Sequence, residues 1–151
     1  MDVKVKKLSK DAVIPKYSKS GDAGLDLTAV SKDIVICKEV VSNSISSIQK
    51  IKYGFGLAFE IPKGYVGYIF PRSSIYKTGQ SLSNCVGVID SGYRGEVSAV
   101  FNTNQSLINQ YKIVDRVAQL IIMPVPKINL IPVKNLQSSE RGSGGYGSTG
   151  N

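Results

Sequence analysis

Residues 53–70 read Tyr53-Gly54-Phe55-Gly56-Leu57-Ala58-Phe59-Glu60-Ile61-Pro62-Lys63-Gly64-Tyr65-Val66-Gly67-Tyr68-Ile69-Phe70. Two segments rich in aromatic and branched residues, 53–61 and 65–70, flank Pro62-Lys63-Gly64, which predicts a strand, a turn and a strand. The pattern continues in both directions. Upstream it predicts strands over 3–8, 25–30, 33–38 and 44–50. Downstream it predicts 87–90, 96–102, 111–114, 117–125 and 128–133, with Gly, Pro, Asn, Asp and Ser clusters between them. No stretch of twelve residues carries a 3.6-residue period, and the most helical segment, 73–77, is long enough for one turn only. Many short strands at this spacing indicate an all-β sandwich, barrel or jelly roll.

The chain of 151 residues has the length of one domain. With 42% hydrophobic and 20% charged residues it is globular rather than disordered. The longest apolar run near the end, 120–126, is too short for a membrane span and contains two prolines. No apolar leader follows Met1, so an intracellular soluble protein is expected. There is no histidine, which excludes a Ser-His-Asp triad, a Cys-His pair and a His-bearing zinc site. Cys37 and Cys85 form no metal-type pair and are expected to pack as small buried hydrophobes. A general base in this chain is a carboxylate, a lysine or a tyrosine. The net charge is +8, and six lysines against two aspartates in residues 1–20 contribute half of it. That excess suits an anionic partner. It forms no basic run interleaved with aromatics, so stable nucleic-acid binding is not expected.

Arginine is scarce, and its four positions mark candidate sites. Pro71-Arg72-Ser73-Ser74 follows a strand and opens the helical turn, placing a guanidinium fork, two hydroxyls and free N–H groups where an anion could sit. The competing reading is a helix start with Ser73 or Ser74 as cap. Residues 84–97 read as a β-hairpin with a widened tip at Asp90-Ser91-Gly92-Tyr93-Arg94. A carboxylate there can orient a water as general base, and Tyr93 can lie against a sugar or base. Asp90 and Gly92 also serve as plain turn formers, but Asp90 and Glu96 are the sole acidic residues between Ile61 and Val114. In Arg116-Val117-Ala118-Gln119-Leu120, alternation puts Arg116, Ala118 and Leu120 on one face, and Gln119 on the other needs a hydrogen-bond partner. Ala23-Gly24-Leu25-Asp26-Leu27 offers one carboxylate at a strand start. Residues 141–150 hold five glycines with Arg141 and Tyr146, a composition that cannot order itself and reads as a mobile arm or lid.

Taken in chain order, from Ala23-Gly24-Leu25-Asp26-Leu27 to residues 141–150, the five segments resemble the motifs of the trimeric dUTPases, the dUTP diphosphatases. They span residues 23–150, and five motifs in family order are specific where one is weak. The resemblance implies a distorted jelly roll or β-barrel, the family's β-clip: a body over 1–137 and a flexible arm over 138–151 that closes an active site. It implies a homotrimer and hydrolysis of dUTP to dUMP and pyrophosphate with Mg²⁺, which limits uracil in DNA and supplies dUMP for thymidylate synthesis. Carried over by position, Asp90 resembles the residue that activates the attacking water. Arg72, Ser73, Ser74, Gln119, Arg141, Ser148 and Thr149 resemble phosphate ligands. Asn84, Gly87, Val88, Ile89 and Ser98 resemble the uracil clasp. Tyr93 resembles the residue under the deoxyribose, and Tyr146 with Gly147 the part of the arm that covers the base. Asp26 resembles the carboxylate that holds metal-bound water, the Mg²⁺ itself resting mainly on the triphosphate. Arg94 and Arg116 resemble structural or inter-subunit residues.

The chain departs from the family at Gly92, where an acidic residue is common, at Tyr146, where Phe is commoner, and over 75–82. A dCTP deaminase-related enzyme, whose fold and Pro-Arg-Ser-Ser segment are related, is an alternative. A regulatory protein that uses the same shell to bind a partner is another, and a nucleic-acid-binding β-barrel is the fallback.

Overall fold

The computed structural model describes residues 1–41, 44–103 and 109–145, with side chains for all of these except 38–41 and 44–48. The fold is an all-β, distorted jelly roll. Ten strands form it: β1 (Lys4–Lys7), β2 (Leu25–Thr28), β3 (Ser31–Val41), β4 (Ser44–Gly54), β5 (Leu57–Glu60), β6 (Tyr65–Pro71), β7 (Gln80–Leu82), β8 (Gly87–Ile89), β9 (Ser98–Thr103) and β10 (Arg116–Pro124). A single 3₁₀ turn, Ser73–Lys77, lies between β6 and β7. One four-stranded sheet runs β2-β10-β6-β8, a second runs β3-β4-β9-β7, and β1 pairs with β5. Every pairing is antiparallel.

One continuous apolar cluster joins the sheets: Leu27, Ile69 and Leu120 from the first, Ile51, Tyr53 and Phe101 from the second. Period-2 alternation explains the sidedness. The cross-strand rows Leu27–Ala118–Pro71 and Leu25–Leu120–Ile69 face the core, so the row between them, Asp26–Gln119–Phe70, faces outward. Tyr53, Phe101 and Tyr111 pack edge-on with centroids 5.6–6.1 Å apart. Gln80, the buried polar residue of this region, is satisfied among them. Its Nε2 donates to the Tyr53 hydroxyl (3.2 Å), its Oε1 accepts from the Tyr111 N–H (3.1 Å), and the Tyr53 hydroxyl donates to the Tyr111 carbonyl (3.1 Å).

Several expectations are corrected. The 53–61 strand is two elements in different sheets. Gly56 adopts φ +62°, and its N–H turns from the ladder to the Glu96 carboxylate at 2.8 Å. Residues 111–114 are a turn despite their branched side chains. Val114 sits at φ +72°, held by its N–H to the Ala29 carbonyl (2.9 Å) and by the Lys112 N–H to the Asp115 carboxylate (2.7 Å). Residues 128–133 form no strand, and Ile128, Leu130, Ile131 and Val133 are exposed with no partner strand among the described residues. The 84–97 segment is not a simple hairpin: β8 pairs with β6 and β9 with β4, so the loop crosses between sheets. Strict alternation fails in β10, because the pairing with β2 slips between Arg116 and Ala118 and buries both Val117 and Ala118. Neither cysteine is buried: Cys37 lies on edge strand β3, and Cys85 is exposed in a turn at φ +61°.

Candidate active site

Above the outward row of the β2-β10-β6 sheet lies a basin of 540 Å³ lined by Gly24, Asp26, Arg72, Ser73, Arg116 and Gln119, among others. Four features build it. β2 delivers Asp26 directly opposite Gln119 of β10. β6 ends at Pro71, and the chain turns into the 3₁₀ turn with Arg72 at its N-terminal boundary in extended conformation. No side chain caps that turn, so neither serine acts as an N-cap. Gly24 allows Gln119 to cross the β2 backbone, since a Cβ there would run into the Gln119 side chain. Gln119 finds the partner its environment requires: its Nε2 donates to the Pro71 carbonyl at 3.0 Å, tying the first, second and fourth segments together.

Asp26 is the electrostatic centre. Arg72 Nε donates to Oδ1 at 2.7 Å, and Arg116 Nη1 donates to Oδ2 at 2.9 Å. Two guanidinium groups thus share one carboxylate that is mostly shielded from water, a geometry in which charged hydrogen bonds are strong. Arg72 Nη1 also approaches Ser74 Oγ at 3.4 Å. The basin's rim carries Ser18 and Lys19, which the sequence reading missed. The signal was the Gly21-Asp22 turn just downstream of them, where the Asp22 carboxylate accepts the Lys19 N–H at 2.8 Å.

The other candidate residues lie elsewhere on this chain. Asp90 is exposed at the end of β8, and its carbonyl accepts the Tyr93 N–H at 3.0 Å. Gly67 pairs with Ile89, so Asp90 stands level with Val66, and Arg72 is six residues further along β6, about 20 Å away at the rise of a strand. The Tyr93 hydroxyl donates to the Glu96 carbonyl at 3.0 Å, which folds the ring onto its own loop. Val88 is exposed, while Gly87 and Ile89 pair with β6 on one side only, leaving β8 as a sheet edge. Asn84 is exposed, and Ser98 is half-buried at the start of β9. Arg94 is spent on the carbonyls of Ser91 and Tyr93. Arg141 is exposed and donates to the Gly144 carbonyl at 3.1 Å. Tyr146, Gly147, Ser148 and Thr149 lie outside the described residues.

The basin is thus lined by two arginines, and the candidate base sits on a separate surface. The dUTPase family model matches residues 10–150. The chain belongs to the dUTPase family. It is 38% identical to the deoxyuridine 5'-triphosphate nucleotidohydrolase of Nautilia profundicola and 37% identical to that of Hydrogenobaculum sp., each over 99% of both chains. Its fold matches the dUTPase of Staphylococcus bacteriophage 80alpha, solved with dUPNHPP, at TM-score 0.79 and 27% identity over 99% of both chains. It also matches a mutant dUTPase of the S. aureus phage phi11, described for its coordination of a structural Mg(II) ion, at TM-score 0.69 and 25% identity over 89% of this chain and 98% of that one. The chain is a dUTP diphosphatase, a hydrolase of dUTP. Among the described residues, no helix is long and apolar enough to cross a membrane.

Proposed function

We propose that this dUTP diphosphatase works at a composite site: the Asp26–Arg72–Arg116 basin of one copy faces the Asp90–Tyr93 loop of another, in a homotrimer. The observation that carries this reading is the separation of Arg72 from Asp90 along β6. A general base must come within about 3 Å of the water it activates, and two groups so far apart on a rigid strand cannot both touch one triphosphate from the same chain. The apolar side chains of Ile128, Leu130, Ile131, Val133 and Leu136, exposed in sequence, support association, since solitary chains seldom leave such a run uncovered.

In this reading Arg72, Ser73, Ser74 and Gln119 receive phosphate oxygens, and the fork of Arg72 swings from Asp26 to the ligand. The free edge of β8, with Asn84 and Ser98, reads the uracil ring through main-chain donors and acceptors, so cytosine leaves buried groups unpaired. Tyr93 excludes a ribose 2′-hydroxyl. Asp90 takes a proton from water as the water attacks phosphorus and dUMP separates from pyrophosphate. Residues 138–151 are the arm: Arg141, Ser148 and Thr149 add donors to the phosphates, and Tyr146 with Gly147 covers the base.

Among the described residues no three His, Cys, Asp or Glu side chains converge, so the body builds no metal cage. The oxygen donors present fit Mg²⁺ carried on the triphosphate, a cation that accepts one carboxylate, substrate oxygens and waters. Asp26, whose oxygens retain lone pairs beyond the two arginines, would hold one of those waters. The bound ion would neutralise charge on the phosphates.

The enzyme is intracellular, as its nucleotide substrate is. A pyrophosphate-release assay over dUTP, dCTP, dTTP and UTP, with Mg²⁺ and with chelator, tests the reading. Release from dUTP alone, lost with chelator, is expected; ammonia release from dCTP would favour the deaminase. Light scattering of an active preparation should give the trimer mass, and a monomer mass would refute the composite site.

A further inference from the structure

Tyr111 lies outside all five segments, yet Ser74 and the basin residue Arg72 act on its hydroxyl. Three contacts fix its ring: edge-on packing against Tyr53 and Phe101, its N–H on Gln80, and its carbonyl beneath the Tyr53 hydroxyl and the Lys32 ammonium at 3.2 Å. The residue is 7% exposed, and its hydroxyl is buried without a completed hydrogen bond. A hydroxyl left so is uncommon, because an unsatisfied buried donor costs about 1–3 kcal/mol. Beyond burial itself, the groups that act on this hydroxyl are the Ser74 hydroxyl, the Arg72 guanidinium and, less strongly, Asp115. Ser74 lies close enough to act on it but not in bonding geometry.

The geometry points to Tyr111 as a positioning residue for the phosphate cradle: its hydroxyl donates to Ser74 when a polyphosphate occupies the basin, and so fixes the Ser73–Lys77 turn with Arg72. Donor counting gives the direction. Ser74 Oγ already faces Arg72 Nη1 as an acceptor. A second donor from below uses its remaining lone pair, which leaves the Ser74 O–H to point outward to a phosphate oxygen. Burial raises the Tyr111 pKa above its ordinary value of 10.0, so the group stays a donor at working pH. The ring cannot turn away, and the contact closes by a small shift of the turn.

This inference rests on the proposed role of the basin, and the test separates the two. The probe is dUTP with Mg²⁺, assayed by pyrophosphate release, with Tyr111→Phe, Ser74→Ala, the double variant and Arg72→Ala. Tyr111→Phe keeps the ring and removes only the unpaired hydroxyl. It should raise KM for dUTP about 3–10-fold, the worth of one hydrogen bond, with Tm unchanged or higher. The double variant should be no worse than Ser74→Ala alone. Unchanged KM in Tyr111→Phe beside a collapse in Arg72→Ala overturns the role of Tyr111 and spares the basin. A lowered Tm with unchanged kinetics makes the hydroxyl merely structural, and strictly additive effects break its link to Ser74. An Arg72→Ala enzyme with normal KM overturns both.

Discussion

At the Pro71 end of β6, Asp26, Arg72 and Arg116 satisfy one another and Gln119 bonds the Pro71 carbonyl, all within a single chain. At the Tyr65 end, the Asp90 carboxylate has no partner among the described residues, and Tyr93 folds back on its own loop. The first region is a finished cluster of paired groups, rigid because three strands of one sheet and a 3₁₀ turn converge on it. The second holds reactive groups on a loop that crosses between sheets, with nothing in the same chain to act on. The proposed meeting of copies would bring the two regions together, and each of the following tests presses on it.

The largest effect belongs to the reactive end. Asp90→Asn keeps size and hydrogen bonding but removes the basic lone pair, so turnover should fall about 10²–10⁴-fold while dUTP still binds. Single-turnover rates with equilibrium binding measure both, and a variant that keeps more than about a tenth of wild-type turnover removes Asp90 from its role. The next test asks whether the two ends act across copies. Asp90→Asn and Arg72→Ala chains, each poorly active, are unfolded together in equal amounts and refolded. If every site takes one end from each of two copies, about a quarter of the sites regain both intact ends. No recovery would place the whole site within one chain.

Deletion of residues 138–151 should cut kcat/KM at least about tenfold by removing donors that the body does not replace, while Tm stays put. Residues 138–143 are fully exposed, so the core does not miss them. A collapse in Tm would make the segment structural instead. The smallest effect concerns the finished end. Asp26→Asn leaves two guanidinium groups close together without their counter-charge, and should lower stability by about 1–2 kcal/mol in urea titration. An unchanged midpoint would mean that the arginines are held by something other than Asp26.

The sequence announces most of the sheet framework because period-2 patterning is local. It hides what is settled at a distance. β7 has three residues, and Gln80 makes sense only through Tyr53 and Tyr111, far away in the chain. Val114 reads as strand by its branched side chain, yet the Ala29 and Lys112 contacts of its turn override that preference. Residues 128–133 read as strand because they are apolar, but a strand needs a neighbour, and the described residues do not supply one. Within the basin, Arg72 and its serines were legible from residue type and context. Asp26 gave a weak signal alone, and its two arginine partners come from 46 and 90 residues away. Tyr111 and Lys19 carried no motif at all.

The shared carboxylate has a consequence for life in a crowded solution of salts. In the resting basin the Asp26 carboxylate offsets one of the two positive charges carried by Arg72 and Arg116. A lone sulfate or inorganic phosphate gains only what it can take from the aspartate, which already occupies the better side of both forks. On the proposed reading, a triphosphate would bring charge at several points together, and some of its oxygens would reach donors that Asp26 does not engage, at Ser73, Gln119 and Lys19. The internal ion pair would then act as a threshold, keeping small common anions from clogging the pocket while a longer one displaces it.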